Sequence, residues 1–374
     1  MKFDFAVPCL FGLEGLLASE LEELGAGNIE AENGRVFFTG DENTLARVNI
    51  NSRFGERLQI HIGSFSAHNF EELFQGVRSL DWAFWLDKKD AFPVKGSSLK
   101  SDLFSIPDCQ SIIKKAIVEK LRATYRLEWF EETGPLHQVQ FFIFNNKVSI
   151  FLDTSGLGLH KRGYRLNANV APLRETVAAG LCCISKLRPY HTLYDPLCGS
   201  GTIIIEGAMM AMNIAPGINR NFSAERWRQF PTNIWKTERE RAVSLVNKNA
   251  DFCAFGSDID KLSIEASRSN AARAGVEESV KFTVADIKDF EQLTECGTVV
   301  CNPPYGERML DIQTADKIYQ NLGNIFKNRR GWSYTILSPS ETFESSFGRK
   351  ADRRRKLYNG MIKCQAYMYF KWEE

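Results

Sequence analysis

No stretch of about 18 or more apolar residues occurs in the 374-residue chain, so no membrane-spanning helix is expected. The first residues carry Asp4 and Glu14 where a secretory signal would have a basic start and then an apolar run, and a cytoplasmic location is expected instead. The nine cysteines are scattered, with only Cys182 and Cys183 adjacent. Neither Cys-x-x-Cys nor His-x-x-x-His appears, so no zinc site, redox motif or other metal centre is expected, and the thiols read as reduced. Gly-Lys-Ser/Thr and Gly-x-Gly-x-x-Gly are both missing, which removes the P-loop and the usual dinucleotide fingerprint. There is no internal repeat and no low-complexity tract.

What is present is unevenly distributed. The net charge of +1 conceals an acidic start: residues 1–65 hold 5 Lys+Arg against 10 Asp+Glu. Residues 66–155 hold 11 against 12, so the basic excess lies in the remainder. One upstream stretch, Val94 to Arg126, has seven basic residues against three acids, a footprint that suits a polyanion or merely a solvated face.

The hydrophobic pattern divides the chain into three units, over residues 1–65, 66–157 and 158–374. In the first, strand-like Lys2–Pro8 precedes Leu13, Leu16, Leu17, Leu21 and Leu24 at helical spacing. Ile29–Ala31 and Val36–Thr39 flank the hairpin turn Asn33-Gly34. A second helix over Leu45, Val48 and Ile50 and a strand over Leu58–Ile62 complete a ferredoxin-like β-α-β-β-α-β order. The second unit has an amphipathic helix (Phe70, Leu73, Phe74, Val77), an extended Phe92–Leu99, a helix capped by Asp108, and a hairpin of Gln138–Phe144 with Val148–Asp153. The third alternates strands at Thr192–Leu197, Cys253–Asp258, Val280–Asp286, Thr298–Cys301 and Trp332–Leu337 with helical patterns, the signature of a parallel, doubly wound α/β sheet. Lys356–Tyr358 and Ile362–Trp372, about Asn359-Gly360, predict an antiparallel hairpin at its end.

Within the third unit, Tyr194-Asp195-Pro196-Leu197-Cys198-Gly199-Ser200-Gly201-Thr202 ends a strand and opens an apolar helix. Gly199 and Gly201 allow close approach of a ligand to the backbone, and the helix start offers free N–H groups; a structural tight turn is the alternative. The next strand ends in Asp258-Ile259-Asp260. A carboxylate at the first of these positions accepts from vicinal ribose hydroxyls, whereas Asp260 caps the following helix. The third strand ends at Asp286, placed to accept from an adenine amino group. Three acids around a Gly loop describe a pocket for an adenosine without phosphate, because the acids repel phosphate.

The fourth strand runs into Asn302-Pro303-Pro304-Tyr305. Two prolines stop the strand and fix the backbone. An exocyclic aromatic amine is a poor nucleophile because its lone pair is delocalised into the ring. It attacks once its N–H groups donate to acceptors outside the ring plane, and the Asn302 side-chain oxygen and Pro303 carbonyl are such acceptors. Tyr305 offers a stacking face for a base. Asn302, Pro303 and Tyr305 are therefore the candidate catalytic residues; Arg308 reads as a surface or substrate contact and Cys301 as a small buried strand residue.

These features together resemble class I methyltransferases that modify amino groups, whose shared motif is Asp/Asn/Ser-Pro-Pro-Tyr/Phe/Trp. The whole chain resembles bacterial ribosomal RNA guanine-N2 methyltransferases with an N-terminal RNA-binding THUMP domain, often labelled N6-adenine-specific methylases. The resemblance is carried by His160–Arg165, Ala171–Thr176, Asp195–Thr202, Asn302–Tyr305 and, upstream, Ser105–Ser111. It implies a Rossmann-like methyltransferase domain with an antiparallel terminal hairpin, preceded by α+β ferredoxin-like and THUMP units. It implies S-adenosyl-L-methionine as cofactor, held by Asp195, Cys198, Gly199, Ser200, Gly201, Thr202, Asp258, Ile259, Asp286 and Asn302, with Ala171–Thr176 closing over its methionine end. RNA, 23S ribosomal RNA or its assembly intermediate, is the implied partner, and Lys95, Lys100, Lys114, Lys115, Arg122, Lys161, Arg162 and Arg165 are candidate contacts to it.

One departure concerns the roughly sixty residues between Asp195 and Asp258. The additional stretch, Pro216 to Arg241, holds Arg220, Arg226, Trp227, Arg228 and Trp235, which suits single-stranded RNA or a packed helical insert. Arg353–Lys356 likewise suits phosphate or solvent. Three functions stay open: guanine-N2 methylation of RNA, the same chemistry on adenine N6 or a protein amide, and a non-catalytic RNA-binding assembly factor.

Overall fold

The alternation of apolar and polar residues over the first half produces seven strands that hydrogen-bond into one sheet. The structure, a computed structural model, describes residues 1–165, 173–291, 293–305, 309–327 and 330–370, without the side chains of 309–312. The elements in chain order begin β1 (Phe3–Pro8), α1 (Glu14–Glu23), β2 (Gly27–Glu32), β3 (Arg35–Gly40), α2 (Glu42–Asn51) and β4 (Gln59–Ser66). They continue α3 (Phe70–Ser79), α4 (Trp82–Trp85), β5 (Val94–Leu99), α5 (Ile106–Tyr125), β6 (Gln138–Phe144) and β7 (Lys147–Asp153). The strand order is β2-β3-β1-β4-β7-β6-β5. Its first four strands have the ferredoxin-like order. The antiparallel β4–β7 pairing then fuses both N-terminal units into a continuous sheet, which strand patterns alone did not foretell.

Alternation along these strands sends Phe5, Val7, Val36, Phe38, Ile60, Val139, Ile143 and Ile150 into one core with helical Leu17, Leu45, Leu73, Ile113 and Leu121. One detail differs from expectation. Ser105, not Asp108, stands at the N-cap of α5; Asp108 sits in the first turn and accepts from Ser105 Oγ at 2.5 Å. The two hairpin turns form as predicted, with Gly34, Asn145 and Asn146 all at positive φ.

The second half contains α6 (Glu175–Ile184), β8 (Thr192–Asp195), α7 (Thr202–Ala211), α8 (Asn233–Ser244), β9 (Cys253–Asp258), α9 (Lys261–Ala274) and β10 (Val280–Val284). It ends with β11 (Gly297–Cys301), α10 (Met309–Phe326), β12 (Trp332–Ser338), α11 (Phe343–Phe347), β13 (Arg353–Asn359) and β14 (Ile362–Tyr369). The sheet order is β10-β9-β8-β11-β12-β14-β13. The first five strands are parallel, and the terminal hairpin is antiparallel. This is the Rossmann-like arrangement with a reversed end that was expected.

The segment from Pro216 to Arg241 is a packed insert. Trp227, Phe230, Ile234 and Trp235 belong to the core of the N-terminal half. Trp227 stacks on His137 at 4.2 Å and donates from Nε1 to the Leu136 carbonyl. Glu238 of α8, 4% exposed, binds Arg47 of α2 through two bonds of 2.9 and 2.7 Å. Gly217 passes so near α2 that an added Cβ would lie 2.7 Å from the Asn49 carbonyl oxygen. Trp227, Trp235 and Arg228 therefore join the two halves, while Arg226 is exposed. Arg220 is spent on the Gly158 and Leu157 carbonyls.

Candidate active site

The Gly loop after β8 is fixed from two sides. Cys198 N donates to Ser257 O on β9, and Asn270 Nδ2 of α9 donates to Ser200 O at 3.1 Å. Gly199 and Gly201 have φ of +50° and +79°, a conformation that favours glycine. At Gly201 a Cβ would also press to 2.9 Å from both Phe282 and Ser267. Gly201 is the N-cap of α7 and brings no side-chain cap, which leaves first-turn N–H groups for a ligand.

Asp258 is the carboxyl in contact with this loop, which Asp195 precedes in sequence. Asp258 accepts from Gly199 N at 2.9 Å and from Asp260 N at 3.0 Å, so it shapes the loop as well as facing it. Asp260 caps α9 through Leu262 N and Ser263 N, as expected. Asp286 accepts from Lys288 N. Ile259 stands 70% exposed at the end of β9. Asp195 is 2% exposed and takes a hydrogen bond from Leu197 N; burial and then the nearby Asp258 push its pKa well up. Among the described residues no cation pairs with it. A buried carboxyl without a counter-ion, beside a loop that has no room for a Cβ at Gly201, fits a ligand that is cationic at one end and carries a ribose.

Asn302-Pro303-Pro304-Tyr305 leaves β11, the strand paired with β8, so the motif and the Gly loop emerge from neighbouring strand ends. Cys301 is fully buried, as read from the sequence. The Tyr305 hydroxyl donates to Asn302 Oδ1 at 2.6 Å and accepts from Asn359 Nδ2 at 3.1 Å. Asn359 ends β13, so the terminal hairpin reaches the motif. Burial pushes the Tyr305 pKa up, which keeps the hydroxyl a donor. Asn270 and Asn359 were missed by sequence reasoning: a lone amide in a helix or a hairpin turn carries no local signal of its tertiary partner.

The expected RNA contacts separate into two groups. Lys95, Lys100, Lys115 and Lys161 are on the surface or partly so. Four others are engaged within the protein, Arg122 while still exposed. Lys114 binds Glu132 at 2.5 Å and the Phe92 carbonyl, and Arg122 donates twice to the Glu128 carbonyl. Arg165 pairs with Glu175 at 2.5 Å. Arg162, 4% exposed, holds Glu206 and the Leu159, Arg53 and Ser52 carbonyls. Arginine next to glycine and tyrosine looks the same in sequence whether it points outward or inward. On β13, Arg354 pairs with Glu344. Ala171, Pro172 and Arg308, and the last two residues of the expected strand to Trp372, lie outside the described residues.

Comparison with known proteins places this geometry. Residues 162–368 match the family described as "RMKL-like, methyltransferase domain", residues 4–59 the "RlmL ferredoxin-like domain", and residues 67–153 the "THUMP domain". The chain is 38% identical to "Putative RNA methyltransferase YpsC" of Bacillus subtilis over 99% of its length and 96% of that protein's. It is 34% identical to "Ribosomal RNA large subunit methyltransferase K/L" of Psychromonas ingrahamii over 96% of this chain, which spans 49% of that longer protein. Among solved structures, a "predicted N6-adenine-specific DNA methylase" from Listeria monocytogenes superposes with a TM-score of 0.94 at 40% identity, covering 100% of this chain and 97% of the other. "SMU.472, a putative methyltransferase complexed with SAH" does so with a TM-score of 0.94 at 38% identity, covering 100% and 99%.

Proposed function

The chain belongs to the RMKL-like methyltransferase family, and on that footing we propose that it is an S-adenosyl-L-methionine-dependent RNA methyltransferase that methylates N2 of a guanine in large-subunit (23S) ribosomal RNA. The observation that carries this reading is the emergence of Asn302–Tyr305 and the Gly199–Gly201 loop from the paired strands β11 and β8. The SAH complex of SMU.472 and the RNA and ribosomal RNA named for the relatives support it. In this reading residues 1–65 and 66–157 deliver RNA, residues 158–374 carry the chemistry, and the protein works in the cytoplasm.

S-adenosyl-L-methionine, when bound, supplies a methyl group that is already electrophilic. The residues do the rest by alignment. Asp195 would face the cationic end, Asp258 would accept from the ribose hydroxyls and Asp286 from the adenine amine. Cys198, Ser200 and Thr202 belong to the loop that would hold the cofactor, with Ile259 beside them. On the substrate side, Asn302 Oδ1 and the Pro303 carbonyl accept from the exocyclic N–H groups and turn the nitrogen lone pair out of the ring. Tyr305 stacks on the base, which is flipped from any helix. Lys95, Lys100, Lys115 and Lys161 remain as phosphate contacts.

Tritium transfer from labelled cofactor to ribosomal RNA tests the assignment, with Asn302→Ala in parallel. Label in N2-methylguanine after nuclease digestion supports it, and equal labelling by both proteins sinks the role of Asn302. The adenine-specific name of the Listeria structure favours a second reading, adenine N6. Label in N6-methyladenine would select that reading.

A further inference from the structure

The helices of the N-terminal half pack on one face of the seven-stranded sheet, and on the other face the side chains of the sheet cover one another: Phe151 is 1% exposed beneath His61 and Arg35. Register places Phe37 and Arg35 of β3, His61 of β4, Phe151 of β7, Gln140 and Phe142 of β6 and Lys95 of β5 on that second face. Phe37 and Phe142 are half-buried there, an aromatic floor on a sheet face, where apolar patches mark interaction sites.

The floor carries an unpaired cation. The Arg35 guanidinium lies 4.2 Å from the Phe142 ring centre, 5.7 Å from Phe151 and 6.0 Å from Phe37. Among the described residues no carboxylate lies within ion-pair distance of it; Glu32, across the strand pair, is the nearest acid acting on it. Burial lowers its pKa, the mark of a charge desolvated without a counter-ion. Arg35 borders a hollow of about 320 Å³ lined also by Arg57, Lys95, Gln59, Gln140 and Phe142. Arg57 is partly neutralised by Asp153. Asp4 adds an acid toward β1, beside His61.

The hollow sits at one edge of the sheet. Pro8 ends β1, Arg35 begins β3, Gln59 begins β4, and Lys95 lies near the start of β5. That edge abuts the methyltransferase half: Glu56, next to Arg57, binds Thr176 and Arg174 of the α6 start. Just past Pro8, Phe11 packs 5.7 Å from Tyr358 of the hairpin that carries Asn359.

We propose that the hollow on this second sheet face is a stacking platform for single-stranded RNA, with a phosphate at Arg35 and Lys95, a base at the edge of Phe142, and amide groups of Gln59 and Gln140 facing that base. The platform rests on the reading of the protein as an RNA methyltransferase and assigns the surface along which the strand reaches Tyr305. Aromatics interleaved with cations suit single strands because every base has a stacking face, and two unpaired cations complement phosphate rather than an acidic peptide, which has no ring to stack.

The test is fluorescence anisotropy of the full chain with a labelled single-stranded RNA of about a dozen nucleotides. The Arg35→Ala/Lys95→Ala double variant is expected to bind roughly tenfold more weakly, with a salt dependence shallower by about 0.7 per lost contact. Phe142→Ala is expected to weaken binding roughly tenfold with its salt dependence kept. Lys236→Ala, an exposed lysine on α8, should bind as wild type. Unchanged cofactor binding by calorimetry confirms that each variant is folded. Absence of binding by wild type, equal binding by the double variant, or displacement by polyglutamate as effective as by unlabelled RNA overturns the platform. Methyl transfer by the same preparations is read separately: labelled RNA with unaltered variants removes the platform and keeps the enzyme assignment, whereas lost binding in the variants with no methylation of any RNA removes the assignment and keeps the platform.

Discussion

The Tyr305 hydroxyl donates to Asn302 Oδ1 over 2.6 Å, so the acceptor assigned to the substrate amine is held by a neighbour within its own motif. A base that enters must take over this bond, while Asn359 Nδ2 keeps a hold on the Tyr305 oxygen. Tyr305→Phe removes the competitor and keeps the ring, and kcat is expected within about threefold of wild type. Tyr305→Ala loses stacking worth about 1–3 kcal/mol, so kcat/KM should fall roughly tenfold to a hundredfold. Asn302→Ala removes a bond made as the nitrogen reacts and should lower kcat about 10²–10³-fold. Single-turnover methyl transfer separates the three; a Tyr305→Phe protein as poor as Asn302→Ala would show that the hydroxyl itself is required.

The Gly loop gives a second expectation. Gly201→Ala combines a φ of +79° with a Cβ pressed to 2.9 Å from Phe282 and Ser267. The strain is expected to displace the start of α7 and weaken cofactor binding about tenfold or more. Asp258→Asn removes the charge that Gly199 N donates to and should weaken it by a similar factor. Calorimetric titration with S-adenosylhomocysteine checks both, and an unchanged Kd for Gly201→Ala would mean that the loop does not touch the cofactor.

Much of this architecture was legible because its signals are local. Period-two alternation, the Asn33-Gly34 turn and a Gly loop between a strand and a helix each follow from the backbone of a few residues. The fusion of both N-terminal units through β4 and β7 was hidden because edge pairing depends on which strand edges remain open, a property of the folded sheet. Trp227 and Trp235 were ambiguous for a related reason. An aromatic beside arginine serves RNA stacking or a core equally well, and only their burial in the N-terminal core decides. The site residues Asn270 and Asn359 act through partners 70 and 54 positions away, beyond the reach of any local pattern.

Glu56 predicts a pH dependence. Burial alone would raise its carboxyl pKa, but His160 Nδ1 at 2.8 Å, the Thr176 hydroxyl and Arg174 outweigh it and hold the pKa below the usual value. A depressed carboxyl stabilises the fold above the unfolded pKa, and that contribution disappears as pH falls through the folded one. Wild type should therefore lose more thermal stability than Glu56→Gln between about pH 6 and pH 3. At pH 7 the variant should be less stable by about 1–3 kcal/mol. Parallel melting curves at the two pH values check the sign, and identical pH slopes would remove Glu56 from the junction between the two halves.

Arg162 and Lys161 are neighbours in sequence and opposite in expected effect. Arg162 is buried against Glu206, with Nε and Nη2 at 3.5 and 3.4 Å from its carboxylate, while the Tyr164 hydroxyl donates to the same group at 3.0 Å. The remaining guanidinium donors go to the Leu159, Arg53 and Ser52 carbonyls. Arg162→Ala leaves the Glu206 charge inside the protein without its cation and frees three carbonyls, so about 3–5 kcal/mol of stability should be lost. Arg162→Lys restores the charge but not the planar fork that reaches several acceptors at once, and it should recover only part. Lys161→Ala, at an exposed position, should leave stability within about 0.5 kcal/mol of wild type while weakening RNA binding and making its salt dependence shallower. Denaturant unfolding and RNA titration of the three variants distinguish the roles. An Arg162→Ala protein that unfolds at the wild-type midpoint yet binds RNA poorly would return this arginine to the RNA surface.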